Sequence, residues 1–418
     1  MSQNSSDNDI DSEVFGPLVS IPPDSLFRLA KSIRHRVFGV ATSTGNIIAR
    51  IGGSYNLVHI IQLDSFKLVI RIPASGWGDG LTETAARALE SQVTTLRLIA
   101  SQTSIPVPEI YAFDTTTNNE IEAPYICMNF ISGKTVSKAW FDATGPVSLE
   151  ERRMKILTSL AHLLAQLSQF KFDKIGSLHT NEDDIVPSIG PCYDWEENDD
   201  GSLAVVASGP FEDSRSYLQQ HYDEDDTKKS EDPWGVAEAK LMEVMMPHLP
   251  IHDPSEGFVL SIPDLDSQNV IVDEDGTVTG IIDLDHIQTV PRCVGYCRYP
   301  SWITRDWDPL MYGWPKLTDS ENSPEELERY RKHYNREMGA ALGGKGDWKY
   351  TQKSQIWEAV WIAALNRRHR LEICRKLVQV TQGDEVDALD ILYDVGTDNL
   401  SEDDWGNLKK ALGCLMSP

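Results

Sequence analysis

Three oxygen-bearing side chains fall within one stretch, SIPDLDSQNVIVDEDGTVTGIIDLD, from Ser261 to Asp285. Asp264 and Asn269 stand in the spacing D-x-x-x-x-N, and Asp283 closes a later apolar run. Asp275-Gly276 between the two runs is a turn pair, which predicts a β-hairpin with Asn269 at the start of one strand beside Asp283 at the end of the other. An amide oxygen next to a carboxylate offers the hard ligands that a magnesium ion with bound phosphates takes. Asp264, on the loop just before, can point into the same space as a base. Solvated hairpin ends would carry the same residue types, and the hairpin alone leaves the two readings even.

Other residues could serve the same chemistry. In IGGSYN, Gly52 and Gly53 lie between two strand-like runs and would let backbone N–H groups approach a phosphate, although a tight hairpin turn also favours glycine. Arg71 interrupts the apolar strand LVIRIP, where a buried guanidinium needs solvent or an anion, either a carboxylate or a phosphate. In RYPSWITRDWDPLMYGW, Trp302, Trp307 and Tyr312 alternate with Asp306 and Asp308. Aromatic faces with carboxylates can bind an ammonium group, and core packing is the favoured alternative.

Several patterns carry no site. ISGKT lacks the glycine of a phosphate-binding loop, with Met128 at that position, and DEDG at Asp273 lacks the later ligands of a calcium loop. Cys293 and Cys297 form a lone C-x-x-x-C, too few ligands for a closed zinc site. His252, His286 and the other histidines show no ligand spacing and read as structural or surface residues.

The elements that must position these residues follow from periodicity. DSLFRLAKSIRHR predicts a short amphipathic helix, two β-rich runs then form a hairpin around Asp64-Ser65, and ETAARALESQVTTLRLIASQT predicts a helix. PYICMNFISG reads as a buried strand leading out of this first unit. Ser148 and Glu151 cap a long helix, and SPEELERYRKHYNREMGAAL and SQIWEAVWIAALNRRHRLEICRKLVQV are two further helical stretches. Residues 193–234 are acidic and weakly patterned, as expected of an inserted surface region.

The chain has 418 residues, 40% of them apolar, enough for two or three structural units. A net charge of −26 and a pI near 4.7 argue against a nucleic-acid partner. The N-terminus has neither a secretory nor a transit-peptide pattern, and no apolar run reaches the roughly 18 residues that span a bilayer. With six scattered cysteines read as reduced thiols, the expectation is a cytoplasmic protein with no membrane partner. Nothing in the sequence sets the oligomeric state.

PDLDSQN followed by GIIDLD resembles the catalytic loop and metal-binding strand of the aminoglycoside phosphotransferase and choline kinase-like family, which shares the protein-kinase fold. GGSYNLVHII is similar to its nucleotide loop, LVIRIP to its strand with the phosphate-binding cation, TSIPVPEIYAFD to the turn after its first helix, and PYICMNFISG to its hinge. The resemblance implies an α+β, bilobal protein-kinase-like fold: a disordered acidic tail over 1–14, a small β-rich, nucleotide-binding N-lobe over 15–130, and a larger, mainly helical C-lobe over 131–418. It further implies transfer of a phosphoryl group from ATP, with Mg2+, to a hydroxyl of a small molecule, a cationic one among the candidates. Asp264 would be the catalytic base or the carboxylate that orients the acceptor hydroxyl; Asn269 and Asp283 would hold the metal. Gly52, Gly53, Ser54, Arg71, Gln92, Met128 and Asn129 would meet the nucleotide, and Asp285, Trp302, Asp306 and Trp307 the acceptor.

Three positions depart from the family pattern. Ile262 stands where a loop-bracing histidine is usual, Gln92 where a glutamate pairs with the strand cation, and Leu284 where an aromatic follows the metal aspartate. The alternative reading is a catalytically weak or inactive kinase-like protein that binds nucleotide or a partner.

Overall fold

In NLVHIIQL every second side chain faces inward, and Leu57, Ile61 and Leu63 are fully buried, the period-two pattern of a strand covered on one face. In the computed structural model, which describes residues 12–180, 187–198, 201–223, 231–251, 256–308, 312–317, 319–383 and 385–417, that strand belongs to a five-stranded antiparallel sheet. Its members are β1 (Gly45–Gly52), β2 (Asn56–Leu63), β3 (Phe66–Pro73), β4 (Ile110–Asp114) and β5 (Tyr125–Asn129), in the order β1-β2-β3-β5-β4. Arg71 therefore sits in the central strand, opposite Val58 on one side and Ile126 on the other.

Two compact units make up the chain. The first comprises Met1–Gly133, Gly176–Pro210 and Thr279–Gln288, so it takes in two segments that the sequence reading assigned to the second lobe. Helix α1 (Ser12–Phe15) buries Phe15 against this unit's core, so the expected tail over 1–14 is helical from residue 12; its remainder lies outside the described residues. Helix α2 (Pro23–Phe38) buries Leu26, Leu29, Ala30 and Ile33, and stops at Gly39, whose φ of 68° closes the helix by an N–H bond to the His35 carbonyl. Helix α3 (Glu83–Gln102) starts at Thr82, whose hydroxyl accepts from the Ala85 N–H.

The acidic stretch from 193 is a correction. Cys192–Glu197 and Leu203–Ser208 pair as an antiparallel hairpin, with Tyr193 and Val205 buried against Ala88, while Asp194, Glu196 and Glu197 are exposed. The segment Ser214–Asp223 is helical, and the part between it and residue 231 lies outside the described residues.

The second unit comprises Lys134–Ile175, Phe211–Val278 and Thr289–Pro418 and is mainly helical. Capping boxes open Leu149–Leu164 at Ser148 and Pro324–Ala341 at Ser323. The run from Ser354 is two helices, Ser354–Leu365 and Arg367–Gln382, because Asn366 adopts an extended backbone and its side chain accepts from the Arg368 N–H. Two further helices, Ala388–Gly396 and Glu402–Met416, follow. All six cysteines are free thiols, five of them buried, and no described helix is long and apolar enough to cross a membrane.

Candidate functional site

Arg71 is 8% exposed and its fork is filled by carboxylates. Its Nη1 donates to Asp285 Oδ1, and its Nη2 donates to Asp285 Oδ2 at 2.6 Å and to Asp283 Oδ1 at 2.5 Å. Asp285 also accepts from the amides of Gln92 and Asn56, the latter at 2.7 Å. Burial opposes both charges, yet Asp285 and then Asp283 hold the Arg71 pKa above its ordinary value, and Arg71 holds Asp285 below the usual carboxylate range. Gln92, expected to face Arg71, thus meets Asp285 instead. Asp285, expected at the acceptor, is committed to Arg71 and two amides.

Asp283 is the exposed member of this cluster, with 47% of its side chain accessible. Its φ of 57° places a non-glycine residue in the left-handed region, a backbone that costs free energy unless the surroundings impose it. The strand before it, Val278–Ile281, ends two residues earlier than the sequence suggested. His286, at φ 50°, stacks on Trp195 at 5.4 Å, and Trp195 stacks on Tyr55 at 5.0 Å. Burial holds the His286 imidazole below its ordinary pKa. Trp195 lies on the unforeseen hairpin, so the sequence reading missed the residue that packs between the glycine loop and the turn after Asp283.

Within the glycine loop, Gly52 pairs with Leu57 and the Gly53 N–H bonds the Asn56 carbonyl at 2.9 Å, closing the β1–β2 turn around Ser54. Neither glycine has a positive φ, and a Cβ on Gly53 would meet only the Asn56 carbonyl, at 3.4 Å. Local geometry therefore does not require glycine at 53. Met128 and Asn129 end β5, with the Asn129 N–H bonded to the Glu109 carbonyl at 3.1 Å and its side-chain oxygen accepting from the Glu109 N–H at 2.8 Å.

The second unit holds Asp264 and Asn269. Asn269 is 6% exposed, and its Nδ2 donates to the Asp264 carboxylate at 2.8 Å and to the Asp264 carbonyl at 3.1 Å. Asp264 itself is exposed, so the amide fixes a carboxylate whose remaining lone pairs face solvent. The turn that follows, with Gly276 at φ 95°, joins Val270–Val272 to the next strand as the Asp-Gly pair predicts.

The aromatic stretch divides. Trp302 is 6% exposed and packs edge-on to Trp140 at 6.1 Å, and Asp306 is locked to Arg331 at 2.6 and 3.1 Å, so both belong to the core of this unit. Trp307 lines a cavity of about 220 Å³ with Ser301, Asp308, Glu358, His369 and Glu372.

Among the described residues no three His, Cys, Asp or Glu side chains gather into a metal site. Magnesium does not need such a cage, since it keeps waters and takes phosphate oxygens. Each unit carries a donor of the kind that magnesium takes: in the second, Asn269 spends its nitrogen on Asp264 and keeps an amide oxygen, and in the first, Asp283 offers a half-exposed carboxylate.

A model of the phosphotransferase enzyme family matches residues 47–294. Altered inheritance of mitochondria protein 9, mitochondrial, of Clavispora lusitaniae is 23% identical over 352 residues, 70% of this chain and 57% of that protein. The protein of the same name from Meyerozyma guilliermondii is 28% identical over 150 residues, so the match covers 35% of this chain and only 24% of the relative. A subtelomeric hrmA-associated cluster protein of Aspergillus fumigatus is 30% identical over 132 residues, again 24% of its length. Among solved structures, aminoglycoside phosphotransferase APH(4)-Ia aligns with a TM-score of 0.46 and 11% identity over 94% of this chain and 98% of its own. Macrolide 2'-phosphotransferase type I aligns with a TM-score of 0.43 and 12% identity over 87% and 99%.

Proposed function

The chain belongs to the phosphotransferase enzyme family, and from that membership we propose that it transfers the γ-phosphoryl group of ATP, with magnesium, to a hydroxyl of a small molecule. Asp264 accepts the proton of the acceptor hydroxyl as its oxygen bonds to phosphorus and the bond to the departing ADP oxygen breaks. Asn269 keeps the Asp264 carboxylate aimed through its amide nitrogen, and Asn269 and Asp283 are the residues that would hold magnesium. Bound there, magnesium would neutralise charge on the phosphate oxygens. The glycine loop at Gly52, Gly53 and Ser54 gives backbone room to the phosphates, and Arg71, paired with Asp285 and Asp283, holds the Asp283 carboxylate in place. The backbone at Met128 and Asn129 borders the adenine.

The observation that carries this reading is Asn269, a buried amide whose nitrogen is bonded to an exposed carboxylate, Asp264. The cavity beside Trp307 gives no support to a cationic acceptor, because the Lys376 ammonium already lies over the Trp307 ring at 5.5 Å, Arg305 shares the lining and Glu372 pairs with Arg375. A second reading, a nucleotide-binding protein with weak or no transfer, draws on one fact: Arg71 has its fork filled by Asp285 and Asp283. Incubation with radiolabelled ATP, magnesium and a panel of amino-alcohol and sugar acceptors separates the two. The enzyme reading expects a labelled product that Asp264→Ala abolishes. Nucleotide binding without product across the panel favours the second reading.

A further inference from the structure

Ile262 is 4% exposed and its side chain can brace nothing by hydrogen bonding, yet the loop it opens must hold Asp264 still. Another residue is bonded to that loop. Arg298, 5% exposed, donates from Nη2 to the Ile262 carbonyl at 2.5 Å and to the Pro263 carbonyl at 2.7 Å, while Nη1 pairs with Glu358 Oε1. Three positions further on, Ser301 donates its N–H to the Leu265 carbonyl at 3.0 Å and its hydroxyl to Asp266 Oδ2 at 2.5 Å. The carbonyls on both sides of Asp264 are thus tied to one short segment.

We infer that Arg298 is the positioning residue of the catalytic loop, doing with its guanidinium what an apolar Ile262 cannot. The inference rests on the reading of Asp264 as the reacting carboxylate. The chemistry suits arginine: a planar fork reaches two successive carbonyls from one nitrogen and a carboxylate from the other, and Glu358 balances the buried charge. A lysine ammonium is a single point of charge on a flexible stem and cannot hold all three acceptors in that plane.

Arg298→Lys, Arg298→Ala and Glu358→Gln, with Asp264→Asn in parallel, test this by hydrogen–deuterium exchange and by turnover of magnesium-ATP. In Arg298→Lys, amides from 262 to 269 are expected to exchange about tenfold faster, with peptides from Leu149–Leu164 and from the five-stranded sheet unchanged. Turnover is expected to fall about a hundredfold while the KM for ATP stays within about twofold, the loss that a misplaced carboxylate causes. Millimolar guanidinium should restore part of the turnover of Arg298→Ala. Unchanged exchange at 262–269, or a rise spread evenly over the whole helical unit, overturns the inference. Exchange reads the loop whether or not ATP is turned over. If the loop loosens as expected while Asp264→Asn turns over normally, the brace stands and the role of Asp264 falls.

Discussion

Asp285→Asn is the sharpest perturbation of the buried cluster. Each oxygen of Asp285 accepts from two donors, Oδ1 from Arg71 and Gln92, Oδ2 from Arg71 and Asn56. An asparagine there, in either orientation, turns an NH2 group toward two donors and removes the main counter-charge of a guanidinium that is 8% exposed. Breaking a buried pair costs about 3–5 kcal/mol, and because Asp283 still accepts from Arg71 the expected loss is near the lower end, about 3 kcal/mol. Urea unfolding followed by tryptophan fluorescence measures it, since Trp77 and Trp195 pack against the core of the sheet-rich unit. The pH dependence has a definite sign. Arg71 depresses the folded pKa of Asp285, so the pair's contribution is complete above the unfolded value of about 4 and is lost as pH falls below it through the folded value. Asp285→Asn should therefore flatten that part of the acid limb. A loss below about 0.5 kcal/mol with an unchanged acid limb would mean that the pair behaves as a surface ion pair, and the reasoning would fail.

Three further outcomes are expected. Gly53→Ala should leave stability unchanged or raise it by about 0.4–1 kcal/mol, since its φ is not positive, while calorimetry shows weaker ATP binding. His59 is fully buried with neither ring nitrogen bonded within the protein, and burial, aided by Arg50, pushes its pKa down to about 3. The unfolded chain takes up that proton first, so stability should fall as pH drops from about 6.5 toward 3, and His59→Leu should remove this slope in an acid-unfolding series. Gln92→Glu should lower the melting temperature and Ile262→His should do the same, with no gain of transfer activity, because the first sets a second carboxylate against Asp285 and the second buries an imidazole at a position that is only 4% exposed.

The parts of the site that were legible in the sequence are those made by neighbours in the chain. Asp264 and Asn269 bond to each other within one loop, and the Asp275-Gly276 turn follows its local rule. The helix starts at Ser148 and Ser323 were likewise written in three-residue spacings. Arg71 read as a cation in an apolar strand that needs solvent, a carboxylate or a phosphate; the structure gives it carboxylates, but Asp285 lies 214 positions away, and no local pattern distinguishes it from an acceptor-binding carboxylate. The hairpin at Cys192–Glu197 was hidden by its outward carboxylates, which made an alternating strand look like an acidic surface stretch although Tyr193 and Trp195 face inward. Arg298 gave no signal, because its acceptors are backbone carbonyls that carry no side-chain identity.

The central claim is that Asp283 works on a magnesium-bound nucleotide, and the most direct measurement is thermal unfolding with ATP, with and without magnesium, on the wild type and Asp283→Asn. Nucleotide at a hundredfold excess over its dissociation constant should stabilise the native state by about 2.7 kcal/mol. The account predicts a magnesium-dependent rise in melting temperature in the wild type that Asp283→Asn loses, although the mutant still folds because Asp285 continues to pair with Arg71. A shift that is equal with and without magnesium, or equal in wild type and mutant, would contradict it.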